Sequence, residues 1–362
     1  MPPDAAGSQN APIALLVDLS SGQTLYAREP DRRFIPASIT KVMTAFLAFE
    51  LIEEGRLNPA QVLVVNEETG REWGGVGSTM FLETGDRVRV DDLLAGITSV
   101  SANDGAVALA VGTLGSVDKW VAAMNGKARE LGMRDSHFGT PNGWMDEGRT
   151  YVSARDLAKL AKAMITRHPA LYRHYFGREG FAYNGIAQNN HDPLSGKFEG
   201  ADGIKTGYTR QAGFGYLGSA VRNGRRLAMV VAAAPSGPQR NAASRALMEW
   251  GFKYFTVRPL YRAGEAVARA RVQGGDAATV GLVAADDLRL SLPKGAEHRQ
   301  LGRAIRYLGP LPAPIRKGDE VAELVVTLPG GTRHALPLVA GEDVGEAGFF
   351  SRIWNGLGGL VA

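Results

Sequence analysis

The rhythm of apolar and polar positions divides the chain into three stretches. In the first, strand-like and helix-like patterns are mixed. Ala11-Pro12-Ile13-Ala14-Leu15-Leu16-Val17 is a short apolar run closed by Asp18, the length of a strand. Val42-Met43-Thr44-Ala45-Phe46-Leu47-Ala48-Phe49-Glu50-Leu51 is apolar and helix-compatible, with Gly55 as its stop. Further helices are expected near 104–113 and 117–131, and Ser153-Ala154-Arg155-Asp156 opens another in the form of a capping box. Phe214, Tyr216 and Leu217 lead to Asn223-Gly224, after which Leu227, Met229, Val231 and Ala233 fall at alternate positions. Asn-Gly between two such runs predicts a β-hairpin.

From about 257 the pattern changes. Leu288, Leu290 and Leu292 alternate with Arg289 and Ser291. Val321-Ala322-Glu323-Leu324-Val325-Val326 runs to a Pro329-Gly330-Gly331 turn, and Leu336 and Leu338 follow at period two. Short strands separated by proline and glycine predict a small all-β domain. The final stretch differs again: Phe350, Ile353, Trp354, Leu357 and Val361 make one apolar helical face, with Ser351, Arg352 and Asn355 opposite. Such a tail either lies in a membrane interface or packs on the β domain. The expected organisation is a mixed domain over 1–256, a β-rich domain over 257–346 and an amphipathic tail over 347–362.

A chain of 362 residues, 44% hydrophobic, supports a sizeable core and two domains. The net charge of +4 is small, and basic residues are not interleaved with aromatics, so nucleic acid is not an expected partner. The absence of cysteine excludes disulfides, thiolate catalysis and zinc–thiolate sites. The six histidines form no metal-binding pair, so neither a metal nor another cofactor is implied. The start, Met1-Pro2-Pro3-Asp4, lacks the basic and apolar regions of a signal peptide. Either an export signal has been removed or the protein is cytoplasmic. No apolar run approaches the length that crosses a membrane.

Three short motifs carry the chemistry. Ser38-Ile39-Thr40-Lys41 reads S-x-x-K, Ser101-Ala102-Asn103 reads S-x-N, and Lys205-Thr206-Gly207 reads K-T-G. In this order they supply a nucleophile, a lysine to activate it, a polar proton shuttle and a basic strand for a substrate carboxylate. Ser116-Val117-Asp118-Lys119 is a second S-x-x-K and Ser8-Gln9-Asn10 a second S-x-N, but neither stands in that order. Ser116 precedes Trp120-Val121-Ala122-Ala123-Met124 and reads as a plain helix cap. Ser38 is expected at a helix start with Lys41 one turn later on the same face, where backbone N–H groups can also stabilise an oxyanion. Lys205 is expected on a strand just ahead of the Asn223-Gly224 hairpin, at a sheet edge facing the helix of Ser38.

These motifs, with Asp202-Gly203-Ile204-Lys205-Thr206-Gly207-Tyr208-Thr209 and Ser153-Ala154-Arg155-Asp156-Leu157, resemble the serine-type D-alanyl-D-alanine carboxypeptidases, the low-molecular-mass penicillin-binding proteins. The resemblance implies an α+β catalytic domain of the β-lactamase/transpeptidase-like type followed by a small sandwich-like all-β domain. It implies a peptidoglycan stem peptide ending in D-Ala-D-Ala as substrate and β-lactams as covalent inhibitors. It implies a setting outside the bacterial cytoplasmic membrane, with the tail as a membrane anchor. By motif, Ser38 corresponds to the acylated nucleophile and Lys41 to its base, a role that burial and the cation of Lys205 would permit. Ser101 would relay the proton to the leaving nitrogen, Asn103 would hold the substrate amide, and Lys205 and Thr206 would take the carboxylate beside Gly207. The backbone N–H groups of Ser38 and Tyr208 would form the oxyanion hole.

Two positions depart from the usual pattern. Ala102 replaces the commoner glycine and is expected to place a methyl group near the cleft; Tyr208 stands where some members have histidine. A substrate-guiding arginine found in some members has no counterpart in Asn184-Gly185-Ile186-Ala187-Gln188-Asn189-Asn190. Two other readings compete. A class A-like β-lactamase needs a glutamate in E-x-x-L-N between the second and third motifs; the chain has Glu54-Gly55-Arg56-Leu57-Asn58, but at the end of the Ser38 helix. A catalytically silent wall-binding protein would have no need of Ser38, Lys41, Asn103 and Lys205 together.

Overall fold

The computed structural model describes residues 11–328 and 330–348. The chain forms two compact units that divide between Lys253 and Tyr254. The first is built on a five-stranded antiparallel sheet, whose spatial order is Gln23–Arg28, Ile13–Asp18, Arg225–Ala234, Gly213–Arg222 and Ala201–Thr209. The expected hairpin is its centre. Only Asn223 (φ 51°) and Gly224 (φ 74°) join the two long strands, and two successive positive φ angles are what a tight two-residue hairpin turn requires. Leu227, Met229 and Val231 face a core with Leu247 and Met248, while Ala228, Val230 and Ala232 face the main helical core. The sheet is therefore buried on both faces. The alternation stops at Ala233, where φ is 56° and the pairing with Phe214 to Tyr216 shifts register.

The helix Lys41–Glu53 is buried from Lys41 through Phe49 and again at Leu51. It is apolar on nearly every side, the mark of a helix enclosed by others. Its neighbours include Val90–Ser99, Val117–Glu130 and Ala154–Arg167. The last begins as expected, with Ser153 Oγ accepting from Asp156 N at 3.2 Å. The reciprocal half of the capping box is not made. Asp156 is one methylene shorter than glutamate, and its carboxylate accepts instead from Asp135 N and Ser136 Oγ.

Among its described residues the second unit is all-β apart from its turns. Six strands pair in the order Gly302–Arg306, Glu320–Thr327, Arg333–Ala340, Thr279–Ala284, Ala266–Gln273 and Leu311–Pro312, and Phe255–Tyr261 pairs with Leu288–Pro293 in a second sheet. Leu288, Leu290 and Leu292 from the small sheet share one core with Leu282, Leu324 and Leu338 from the large one, which makes the unit sandwich-like. Ser291, between two of these leucines, is also buried. The tail read as an amphipathic helix lies outside the described residues from 349 onward. Among the described residues no single helix is long and apolar enough to cross a membrane.

Candidate active site

Ser38 lies in a tight 3-10 turn, Ala37–Thr40, and the α-helix begins only at Lys41. In a 3-10 turn the side chains at i and i+3 eclipse, so Ser38 and Lys41 point the same way. Lys41 Nζ stands 3.0 Å from Ser38 Oγ, 2.7 Å from Asn103 Oδ1 and 2.6 Å from the carbonyl oxygen of Asn142. Lys41 is 1% exposed. Asn142 was not legible as a partner, because its contribution is a backbone carbonyl on a distant loop. Gly143 (φ 74°) allows that contact: a Cβ there would fall 1.9 Å from Ala37 O, so only glycine lets the loop press on the Ser38 turn.

The S-x-N motif forms the second wall. Ser101 is buried with φ 66°, and its hydroxyl has no hydrogen-bond partner among the described residues. A non-glycine residue held in the left-handed region is strained, and such strain concentrates at functional sites. Asn103 begins the helix Asn103–Leu114 and donates from Nδ2 to Val76 O at 3.0 Å. Its other amide hydrogen is free of that bond. Asp104, which the motif reading passed over, is fully buried and accepts from Met80 N, Leu82 N, Gly105 N and the Thr79 hydroxyl. It ties the 76–82 loop to the helix that carries Asn103.

The third wall is the edge strand Ala201–Thr209, which packs on the Ser38 turn. Lys205 is 3% exposed and its ammonium donates to Thr206 O at 3.1 Å. Gly207 shows why the motif ends in glycine: a Cβ would lie 2.3 Å from Pro36 O. Thr206 is half-buried, and Tyr208, 52% exposed, stacks on Phe214 with ring centroids 4.1 Å apart. The structure thus gathers Ser38, Lys41 and Asn103 into one hydrogen-bonded cluster. Ser101 is two residues from Asn103, and the Lys205 strand lies against the Ser38 turn.

Residues 3–236 match the family described as D-alanyl-D-alanine carboxypeptidase. The chain belongs to that family. Residues 255–346 match the penicillin-binding protein 5 C-terminal domain. The chain is 35% identical to the D-alanyl-D-alanine carboxypeptidase DacA of Haemophilus influenzae over 95% of this chain and 87% of that one. It is 31% identical to DacF of Bacillus subtilis over 97% and 90%. The crystal structure of penicillin binding protein 5 from Haemophilus influenzae superposes with a TM-score of 0.83 at 33% identity, covering 93% of this chain and 98% of that chain. Penicillin-binding protein D2 of Listeria monocytogenes in its ampicillin-bound form superposes with a TM-score of 0.61 at 28% identity, covering 67% and 98%. The protein is a D-alanyl-D-alanine carboxypeptidase, a hydrolase with the transpeptidase-like fold.

In this carboxypeptidase the lysines are tuned by their surroundings. Burial pushes Lys41 well below the usual lysine range; the charge of Lys205 pushes the same way, and Asp104 opposes. Burial brings Lys205 down to about 7, opposed by Asp192 and reinforced by Arg240. Arg240, which the motifs did not reveal, donates to Gly215 O at 3.2 Å and adds a third cation near the cleft. The His191 imidazole, partly desolvated and facing Lys205, Arg240 and Lys41, is held below the usual histidine range.

The structure corrects one expectation and disposes of another. The Ala102 methyl does not face the cleft. Ala102 is fully buried in the main core, where its Cβ sits against the open faces of Gly96 and Gly105. Glu54 lies beyond the far end of the 13-residue helix Lys41–Glu53, about 20 Å along the axis from Lys41. It pairs with Arg56 at 2.8 Å on the surface, which places it out of reach of any ester on Ser38.

Proposed function

We propose that this carboxypeptidase removes the terminal D-alanine of a peptidoglycan stem peptide through an ester on Ser38. The observation that carries this reading is the threefold environment of Lys41. A neutral amine has two hydrogens and one lone pair. The two shorter contacts, to Asn142 O and Asn103 Oδ1, use the hydrogens and turn the lone pair to Ser38 Oγ. Lys41 then takes the Oγ proton as Oγ attacks the scissile carbonyl carbon. The backbone N–H groups of Ser38 and Tyr208 stabilise the oxyanion. Ser101, whose hydroxyl is unpartnered, passes the proton to the departing D-alanine nitrogen as the C–N bond breaks. Asn103 holds the peptide amide, and Lys205 and Thr206 beside Gly207 hold the terminal carboxylate. Water then attacks the ester carbonyl, giving a proton to Lys41; the bond from the acyl carbon to Ser38 Oγ breaks, Lys41 returns the proton to Oγ, and the shortened peptide leaves as its carboxylic acid.

β-Lactams present the same amide to the same hydroxyl, and ampicillin- and cefotaxime-bound forms exist for Listeria penicillin-binding protein D2; acylation of Ser38 by β-lactams belongs to the proposal. So does a site of action outside the cytoplasmic membrane, with the tail around Trp354 resting in the membrane interface. Flotation of the full chain with anionic liposomes, and its loss on deletion of residues 348–362, tests the anchor. The catalytic reading is tested with paired peptides. The protein releases D-alanine from a peptide ending in D-Ala-D-Ala and leaves its C-terminal amide nearly untouched. Equal turnover of acid and amide overturns the carboxylate role of Lys205.

A further inference from the structure

Most large apolar side chains of the catalytic unit are buried, but Trp144 is 36% and Met145 61% exposed. Trp144 is not a loose surface residue. Its backbone N–H donates to Asn142 Oδ1 at 3.0 Å, on the same Asn142 whose carbonyl holds Lys41. The preceding Gly143 is locked on the Ser38 turn, as described above. The indole is met edge-on by the Trp73 ring, with centroids 5.8 Å apart at 88°. Nor is it remote from the chemistry. A Cβ added at Gly77 would lie 2.8 Å from both Asn103 Nδ2 and Trp144 Cζ3. The indole and the amide therefore crowd one face of the same glycine. Among the described residues, the part of the indole that faces away from Trp73 is left open beside the cleft, a braced surface for a ligand.

The direction of the bound peptide follows from the proposed roles. With its carboxylate on Lys205 and Thr206 and its scissile carbonyl at Ser38, the peptide continues past Asn103, toward Trp144. We propose that Trp144, braced by Trp73, is a specificity-determining platform that receives a long aliphatic side chain on the residue preceding D-alanyl-D-alanine. The proposal rests on the Ser38 reading above and adds to it a side-chain class. An indole face shields methylenes from water whatever their terminus carries, so the aliphatic stem and not a terminal charge is what the site reads.

The test uses acetyl-X-D-Ala-D-Ala with X as alanine, norleucine or lysine, and follows D-alanine release. Burying two methylenes corresponds to about tenfold. The parent is expected to favour norleucine over alanine by about that factor in kcat/KM, with lysine within about threefold of norleucine. Trp144→Ala is expected to compress the norleucine-to-alanine ratio to below about threefold, and Trp144→Leu to retain most of it. Stoichiometric labelling by penicillin and an unchanged circular dichroism spectrum confirm that each variant is folded. No preference in the parent, an unchanged ratio in Trp144→Ala, or an equal fall on all three peptides overturns the proposal. A lysine peptide far better than norleucine also overturns it, in favour of cation recognition. Absence of release from every peptide sinks the Ser38 reading along with it, whereas release without side-chain preference sinks the platform alone.

Discussion

The chain contains S-x-x-K twice, and the two copies fold to opposite ends. Ser116 has extended backbone (φ −161°, ψ 157°) and its Oγ accepts from Lys119 N at 3.2 Å, which caps the helix Val117–Glu130. Lys119 points to solvent. Ser38 sits inside a 3-10 turn and makes no cap bond; the hydroxyl is left for Lys41, which is buried. The same four-residue spacing thus gives a structural cap or the proposed nucleophile and base, depending on where the helix starts. At Ser116 the α-helix begins with the next residue, so the hydroxyl meets an orphan N–H. At Ser38 it begins three residues later, so the hydroxyl meets the side chain eclipsed above it. Asn142 and Asn103 then complete a pocket that no local pattern encodes.

The largest effect expected from this difference is in covalent labelling. Ser38→Ala abolishes the penicilloyl adduct, while Ser116→Ala is labelled at the parent rate on a peptide that maps to Ser38. An adduct on Ser116 in either variant would reverse the assignment of the two motifs.

The lysines separate next. Lys41→Arg keeps a charge but cannot act as a base, because guanidinium does not deprotonate in proteins. Acylation is expected to slow by about three orders of magnitude, roughly 4 kcal/mol. Lys119→Arg, at the exposed copy, changes it by less than about twofold. Stopped-flow acylation by a fluorescent penicillin reads both, and a Lys41→Arg rate within tenfold of the parent would mean that another group takes the proton.

The contrast also marks what the sequence could reveal. The hairpin was legible because Asn223-Gly224 is local chemistry with one good solution. The convergence of Ser38, Lys41 and Asn103 was legible because the motifs in order constrain one another. Asn142 O, Asp104 and Arg240 were not, since each acts on a side chain distant in sequence through a fold that must first exist. Ala102 was misread for the same reason: a residue between two site residues on a turn can point the other way, and this one points into the core.

Burial of a lysine has a thermodynamic signature, and Lys205 is the place to read it. Its folded value of about 7 lies below the unfolded value of 10.5. The unfolded chain therefore binds more protons between those limits, and stability gained from Lys205 rises with pH across that window. Below pH 7 the ammonium is buried at full cost; above 10.5 the cost is gone. Lys205→Met is expected to stabilise the fold at pH 6 by up to roughly 4 kcal/mol and by progressively less from pH 7 to 10. On the carboxylate role proposed for Lys205, kcat/KM for a free-acid peptide is expected to fall as pH rises through about 7, when Lys205 loses its charge. Lys205→Arg moves that fall to higher pH. A stability difference that is flat from pH 6 to 10 would show that Lys205 titrates at an ordinary value.

The smallest effect is at the cap itself. Ser116→Ala removes the acceptor for Lys119 N and leaves an unsatisfied helix donor, a loss of about 1 kcal/mol. For a unit of this size that lowers Tm by about 2–4 °C, with turnover unchanged. Ser116→Asp restores an acceptor and, next to the positive end of the helix, recovers the parent Tm. Ser38→Ala has no cap to lose, so its Tm is expected to move less than that of Ser116→Ala although its activity is gone. Calorimetry on the three variants decides the matter. If Ser38→Ala were the less stable of the two alanine variants, Ser38 would be supporting the helix start, and the division of labour between the two motifs would be incomplete.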